Sequence, residues 1–243
     1  MCYIILMYRK LYLFALLNLL GAGAAAKDFR DHEHNQSTRT KYQSPASSKL
    51  HAFYNLGHEH HFYKNVQVPG DTLSRFFRPD SLMRIRGSQF LIADKIMYIH
   101  ANVIQALNEM GMAMYTEIGR PLIVISGYRS YYEQTIIYGD GGRAHSRAAP
   151  GTSQHQLGYG LDFIEISARA RMRPEIQWLE HNVWRFGFVV SYTRESESQT
   201  GIMPEPWHYL YVGRQTAAFI QEYFGGHQYL FLNYLKLIRQ NSY

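Results

Sequence analysis

His155 and Asp162 stand seven positions apart within Pro150–Phe163, which reads P-G-T-S-Q-H-Q-L-G-Y-G-L-D-F and places two glycines between them. An apolar run, Leu161 to Ile166, surrounds the Asp. A short polar loop feeding a buried strand can present two such side chains as rigid metal ligands. The carboxylate in particular needs a partner, because burying an unpaired charge is costly. The third candidate ligand is His208. In the expected strand Trp207 to Val212 it shares one face with Leu210 and Val212, while Trp207, Tyr209 and Tyr211 share the other. Two histidines and one carboxylate leave a tetrahedral zinc ion with one open position, the catalytic rather than the structural pattern.

Such a site also needs a base and a cation. Glu205 lies just before the strand, held extended by Pro206, so it can lean over whatever His208 binds without being a ligand. That suits a general base acting on water at the metal, which zinc would acidify to a pKa of about 7. Arg129, in Ser126-Gly-Tyr-Arg-Ser130, projects from a strand-to-helix turn toward a developing oxyanion. Singly, each residue has a plainer reading. A histidine at a strand start is usually a satisfied polar group, and an arginine at a turn often pairs with an acid.

The elements that must position these groups follow from periodicity. Ile92, Ile96, Ile99, Val103, Leu107, Met110 and Met114 step by three and four, predicting a core helix from an N-cap at Ser88 to Gly119. Pro121-Leu-Ile-Val-Ile125 reads as a buried strand. Ser130 and Glu133 form a capping box that opens a helix to about Tyr138, which Asp140-Gly-Gly142 breaks. A helix with Pro174 in its first turn ends at Gly187, Phe188–Tyr192 is a strand, and Thr193–Thr200 is a loop. Two helical segments, about Arg214–Phe224 and His227–Arg239, close the chain. This order predicts an α+β domain with a small, mainly antiparallel sheet flanked by helices.

The 243 residues, 46% hydrophobic, suit one globular domain with appendages. Net charge is +6, falling to +4 without Arg9 and Lys10. The basic residues are scattered, which suits an anionic partner such as a cell wall and leaves no nucleic-acid footprint. Arg9 and Lys10 precede an apolar run, Leu11 to Leu20, and the small residues Gly21 to Ala26. Residues 1–26 therefore read as a secretory signal, or as a membrane anchor if uncleaved, and imply export to the periplasm or cell envelope. The only cysteine, Cys2, falls inside this segment, so the rest of the chain has no disulfide chemistry. Residues 27–49 read as a flexible linker and 50–243 as the catalytic domain. His58-Glu-His-His61 has ligand residue types, but Phe62 stands where the zincin pattern needs histidine, so it reads as a solvated loop.

H-x6-D, E-P-W-H some forty residues on, and S-G-Y-R-S upstream together resemble the zinc D-alanyl-D-alanine carboxypeptidases of the VanY type. That group includes L,D-carboxypeptidases and peptidoglycan endopeptidases, and shares its metal-site fold with D-Ala-D-Ala dipeptidases and the Hedgehog signalling domain. The likeness runs from about Phe90 to Phe224 and includes W-L-x5-W-R-F-G-F from Trp178 and T-G-I-M-P-E-P-W-H-Y-L-Y-V-G from Thr200. It implies one zinc per chain on His155, Asp162 and His208, with Glu205 as base and Arg129 as clamp on the substrate carbonyl. Ser153 and Gln134 match positions that shape or bind the substrate end, and Trp207 would wall the pocket. Tyr128 beside Arg129 is a candidate contact for a free substrate carboxylate. The implied activity is removal of the C-terminal D-alanine from peptidoglycan stem peptides, the alternatives being an endopeptidase of the same fold or a non-catalytic module binding cell-wall peptides. Tyr159-Gly160 departs from the small aliphatic pair usual in the family. Gly160 is expected to loosen the strand and Tyr159 to narrow the pocket.

Overall fold

A computed structural model describes residues 72–86, 90–92, 96–139, 147–164 and 172–240. All lie in the compact unit that runs from Lys49 to Tyr243. The expected signal or anchor, the linker, Cys2, the His58–His61 cluster and Ser88 fall outside the described residues. No helix among the described residues is long and apolar enough to cross a membrane.

The centre is a five-stranded sheet built from β2 (Phe90–Ile92), β4 (Leu122–Ser126), β5 (Gly160–Phe163), β7 (His208–Tyr211) and β6 (Phe188–Val190), in that spatial order. Only the β2–β4 pair is parallel; the other three pairings are antiparallel. A separate antiparallel pair joins β1 (Leu82–Arg84) to β3 (Tyr98–His100). The helices are α1 (Ala101–Ile118), α2 (Tyr131–Gly139), α3 (Pro174–Asn182), a short α4 (Glu197–Thr200), α5 (Arg214–Phe224) and α6 (Gln228–Gln240). A 3-10 turn, Gln154–Leu157, precedes β5, and another, Val183–Phe186, extends α3 to Gly187. The α+β class with a mainly antiparallel sheet is as the sequence implies.

The core helix begins later than its periodicity suggests. Residues 98–100 pair with β1 instead, and His100 caps α1 by accepting from the Asn102 backbone N–H at 3.2 Å. Ile99 is fully buried from this strand, so it continues the apolar spacing of the helix without belonging to it. Gly119 ends α1 in the left-handed conformation, φ 65°, as expected of a C-terminal glycine. The Ser130–Glu133 capping box is present: Glu133 N–H donates to Ser130 Oγ at 3.2 Å, and Glu133 Oε2 accepts from Ser130 N–H at 2.7 Å.

The β5–β7 register sets the site. Asp162 pairs with His208, Leu161 with Tyr209 and Gly160 with Leu210. The opposite face carries Leu161, Phe163 and Tyr209, none with measurable exposure, and Phe163 packs on Tyr209 with ring centroids 5.8 Å apart. The apolar run continues to Ile166, but β5 stops at Phe163. Ile164 takes φ 71° and gives its N–H to Ile123 O at 2.8 Å.

Both expectations for Tyr159-Gly160 are corrected here. Tyr159 is odd-numbered like Leu161 and points away from Asp162 and His208. It stacks on His100 (4.5 Å) and Tyr211 (6.3 Å), and burial pushes its hydroxyl up to about 12, the Tyr211 hydroxyl adding to the rise and a bond with Asn102 of α1 opposing it. It therefore does not narrow the pocket. Gly160 does not loosen β5 but lets the turn carrying His155 close onto it. A Cβ there would sit 2.9 Å from Gln154 C, 3.1 Å from Gln154 O and 3.1 Å from His155 N, all backbone atoms that cannot swing aside. Gly160→Val is expected to lower stability by about 1–3 kcal/mol in urea denaturation; a variant as stable as the parent would contradict this close approach.

Candidate active site

Three elements deliver the candidate ligands. The 3-10 turn presents His155, β5 presents Asp162 and β7 presents His208, each no more than 3% exposed. One donor atom from each lies within 4.8 Å of the others. Asp162 Oδ1 is 2.8 Å from His208 Nδ1, Asp162 Oδ2 is 3.2 Å from His155 Nε2, and the two imidazoles meet edge to face at 4.8 Å.

The far side of each ring is engaged elsewhere. His155 Nδ1 donates to Gly127 O at 2.7 Å, which leaves its Nε2 lone pair facing Asp162. His208 Nε2 lies 3.0 Å from Gln154 Oε1, which leaves Nδ1 on the Asp162 side. Metal-binding histidines ordinarily hold their second nitrogen in this way. Two neutral imidazole nitrogens and a carboxylate converging from rigid elements fit a zinc ion.

The charge balance agrees. Burial lowers the His155 pKa to about 4, with Arg129 and His208 acting in the same direction against Asp162, so the ring is neutral at physiological pH. Burial on its own would raise Asp162, but His155 and His208 hold it well below the usual carboxylate range. It is thus ionised, the state a ligand requires.

Arg129 is held beside this cluster. Its Nη2 donates to Asp162 Oδ2 at 2.6 Å and its Nε to Ser126 Oγ at 2.9 Å, while its backbone N–H reaches His155 O at 3.2 Å. Gly127 makes the turn possible, because a Cβ there would lie 2.5 Å from Tyr98 O. Tyr128 N–H donates to that same Tyr98 carbonyl at 2.7 Å. The Tyr128 hydroxyl is raised by partial burial, against the pull of nearby Arg78.

Glu205 and His208 are the two ends of a turn. Glu205 O accepts from His208 N–H at 3.0 Å, with Pro206 and Trp207 between them, and proline suits the second position because its φ is preset. Trp207 therefore belongs to the turn rather than to β7; it is half-buried and its carbonyl accepts from Phe163 N–H at 2.9 Å. A further bond, Glu205 N–H to Tyr192 O at 3.0 Å, pins the start of the turn. The residue as a whole keeps some exposure, yet its carboxyl group is deeply recessed. Burial, reinforced by the Asp162 charge and opposed by Arg129, pushes it up to about 8.

Ser153 is 2% exposed and leads into the 3-10 turn, its carbonyl accepting from Gln156 N–H at 3.1 Å. Gln134 is equally buried on α2 and donates to Ala148 O at 2.7 Å; its Oε1 has no partner among the described residues. The structure adds groups that sequence reasoning missed. Ser126 anchors Arg129, Gly127 O orients His155, Gln154 meets His208, and the Tyr192 ring lies 4.9 Å from the His208 ring. Gln154 adjoins His155 in sequence, the one signal that might have singled it out.

With this geometry in hand, comparisons with known proteins bear directly on it. The family described as "VanY: D-alanyl-D-alanine carboxypeptidase" matches residues 96–214, which contain every group just described except Arg78. A D-alanyl-D-alanine carboxypeptidase of Enterococcus faecium is 32% identical over 131 residues, covering 54% of this chain and 43% of that protein. The Bacillus subtilis (strain 168) protein YodJ is 30% identical over 174 residues, 65% of this chain and 61% of its own. The chain thus spans less than two thirds of the length of these curated relatives. Among solved structures, the LdcB LD-carboxypeptidase is similar with a TM-score of 0.56 at 31% identity, over 65% of this chain and 83% of that one. VanYB, solved in complex with D-alanine-D-alanine, gives a TM-score of 0.52 at 27% identity, over 67% and 95%. The motifs, the sheet that carries them and these similarities agree: the chain belongs to the VanY-type D-alanyl-D-alanine carboxypeptidase family.

Proposed function

We propose that this protein is an exported zinc-dependent carboxypeptidase that removes the C-terminal D-alanine from peptidoglycan stem peptides. The observation that carries the reading is the convergence of His155, Asp162 and His208 on one point with Glu205 and Arg129 beside it. A binding module without turnover would have no use for a recessed acid and a fixed cation at the same point. Export rests on the character of residues 1–26 and on where such a substrate lies.

Zinc held by the three ligands would supply a Lewis acid and a nucleophile from water at neutral pH. Glu205, whose carboxyl is pushed up to about 8 in the metal-free protein, would be drawn back to the ionised form by the charge of a bound zinc ion, and could then take a proton from water and return it to the leaving amine. Its position on a proline-fixed turn keeps the carboxyl aimed without making it a ligand. Arg129 is oriented by Ser126 Oγ and can place its guanidinium against the scissile carbonyl oxygen, where a positioned donor contributes a factor of about 10²–10³. Tyr128, next to Arg129, and Ser153, two residues before His155, are the candidates for holding the substrate's terminal carboxylate, with Gln134 and Trp207 shaping the pocket.

The test is incubation of the zinc-loaded protein with pentapeptide and tetrapeptide stems, reading products by mass. Release of D-alanine from the pentapeptide alone means D,D cleavage, and from the tetrapeptide alone means L,D cleavage. Cleavage only within longer peptides would replace the carboxypeptidase with an endopeptidase. Glu205→Ala should bind zinc yet lose turnover, whereas His208→Ala should lose both; full activity in Glu205→Ala would overturn the role of the base.

Glu205 also predicts a pH effect on stability. Its folded carboxyl titrates near 8 and its unfolded carboxyl near 4.5. Between those values the folded chain holds a proton that the unfolded chain has lost, so this group's contribution to stability falls as pH rises through that window. In chelator-treated protein, the melting temperature of Glu205→Gln relative to the parent should therefore climb from pH 5 to pH 8.5. A difference independent of pH would contradict the recessed, raised carboxyl.

A further inference from the structure

The hydrogen bonds behind His208 branch at Gln154 and reach an element outside the family match. His208 Nε2 meets Gln154 Oε1 at 3.0 Å, Ser191 Oγ donates to the same oxygen at 2.7 Å, and Gln154 Nε2 donates to Gln228 Oε1 at 3.1 Å. Gln154, Ser191, Gln228 and His208 are 7%, 3%, 5% and 2% exposed, so none can exchange these partners for bulk water. Gln228 opens α6, beyond the matched residues 96–214, and α6 is seated by Phe231 against Phe219 and Phe224 of α5.

A neutral imidazole carries its proton on one nitrogen only, and the partner of that nitrogen decides which. An amide offers one accepting end and one donating end. Here the donating end of Gln154 is taken by Gln228, and the accepting end is turned toward both Ser191 and His208. Reversing the amide would set its NH2 group against His208 Nε2, draw the proton to Nδ1, and close the nitrogen that faces Asp162 Oδ1. We infer that Gln154 is the positioning residue that fixes His208 in the tautomer whose Nδ1 faces the metal site, with Ser191 and Gln228 holding its amide the right way round. This rests on the proposed zinc site. It assigns to α6 a role in metal binding through Gln228, in addition to packing.

Outer partners of metal-binding histidines typically change metal affinity about 10- to 100-fold when removed. Zinc affinity, measured by competition with a chromophoric chelator, should therefore fall by about that factor in Gln154→Leu. Gln154→Glu keeps an acceptor toward His208 and Ser191 and should bind zinc close to the wild-type value. A leucine variant that binds as tightly as wild type would overturn the inference. A second measurement needs no variant. Long-range 1H–15N spectra of the zinc-loaded wild-type protein should show the His208 proton on Nε2 and the metal on Nδ1, and the reverse assignment would also overturn it. If the wild-type protein takes up no zinc, the zinc-site reading itself fails and takes this inference with it, a result distinct from either of the others.

Discussion

Asp162 is a buried carboxylate, and the site is arranged around the need to satisfy it. Left alone at 2% exposure it would cost several kcal/mol or take up a proton. Instead Arg129 donates to one oxygen, and the His208 and His155 nitrogens that face the two oxygens are donor atoms that would share a metal ion with the carboxylate. Each partner arrives from a different segment, so the carboxylate fixes the relative positions of the 3-10 turn, β7 and the turn after β4. The same charge reaches Glu205 and helps raise it, so two acids a short distance apart are held in opposite protonation states. Asp162 is thus ready to act as a ligand, whereas Glu205 becomes a base only when the charge of a bound metal draws its carboxyl back to the ionised form.

The sheet supplies rigidity and the irregular segments supply approach. Antiparallel pairing of β5 with β7 puts Asp162 directly across from His208, while the bulge between Val124 and Ser126 in the β4–β5 pairing brings the Ser126–Arg129 turn to the same edge. The opposite face of β5 and β7 is filled by Phe163, Tyr209 and Phe188, so the strands cannot rotate their polar side chains out of the site without exposing large aromatic rings. Glycine is required where backbones touch. Gly127 admits Tyr98 O and Gly160 admits the His155 turn, and both approaches would be lost to any side chain.

Much of this was legible in the chain. Asp162 stands out as an acid within an apolar run, while His155, His208 and Glu205 gain meaning only together with it, as one set of motifs in order. The period-two rule also separates Tyr159 from Asp162, since three positions along a strand reverse the face. The strands β1, β2 and β3 were not legible, because three residues show no alternation and, unlike β6 after Gly187, no helix stop marks where they begin. Ile96 and Ile99 moreover extend the spacing of α1 across β3. Contacts such as Gln154 with Gln228, 74 positions apart, follow no spacing rule at all. Amides leave no periodic trace, and only the folded backbone brings them together.

The central claim is that one zinc ion binds between His155, Asp162 and His208, and anomalous diffraction at the zinc edge from crystals of the zinc-loaded protein tests it most directly. The account predicts a single peak per chain. Imidazole nitrogens of His155 (Nε2) and His208 (Nδ1) should lie at about 2.0–2.1 Å and an Asp162 oxygen at about 2.0–2.2 Å, with Glu205 outside the coordination shell. A zinc peak ligated by other residues, or none at these three, would contradict it.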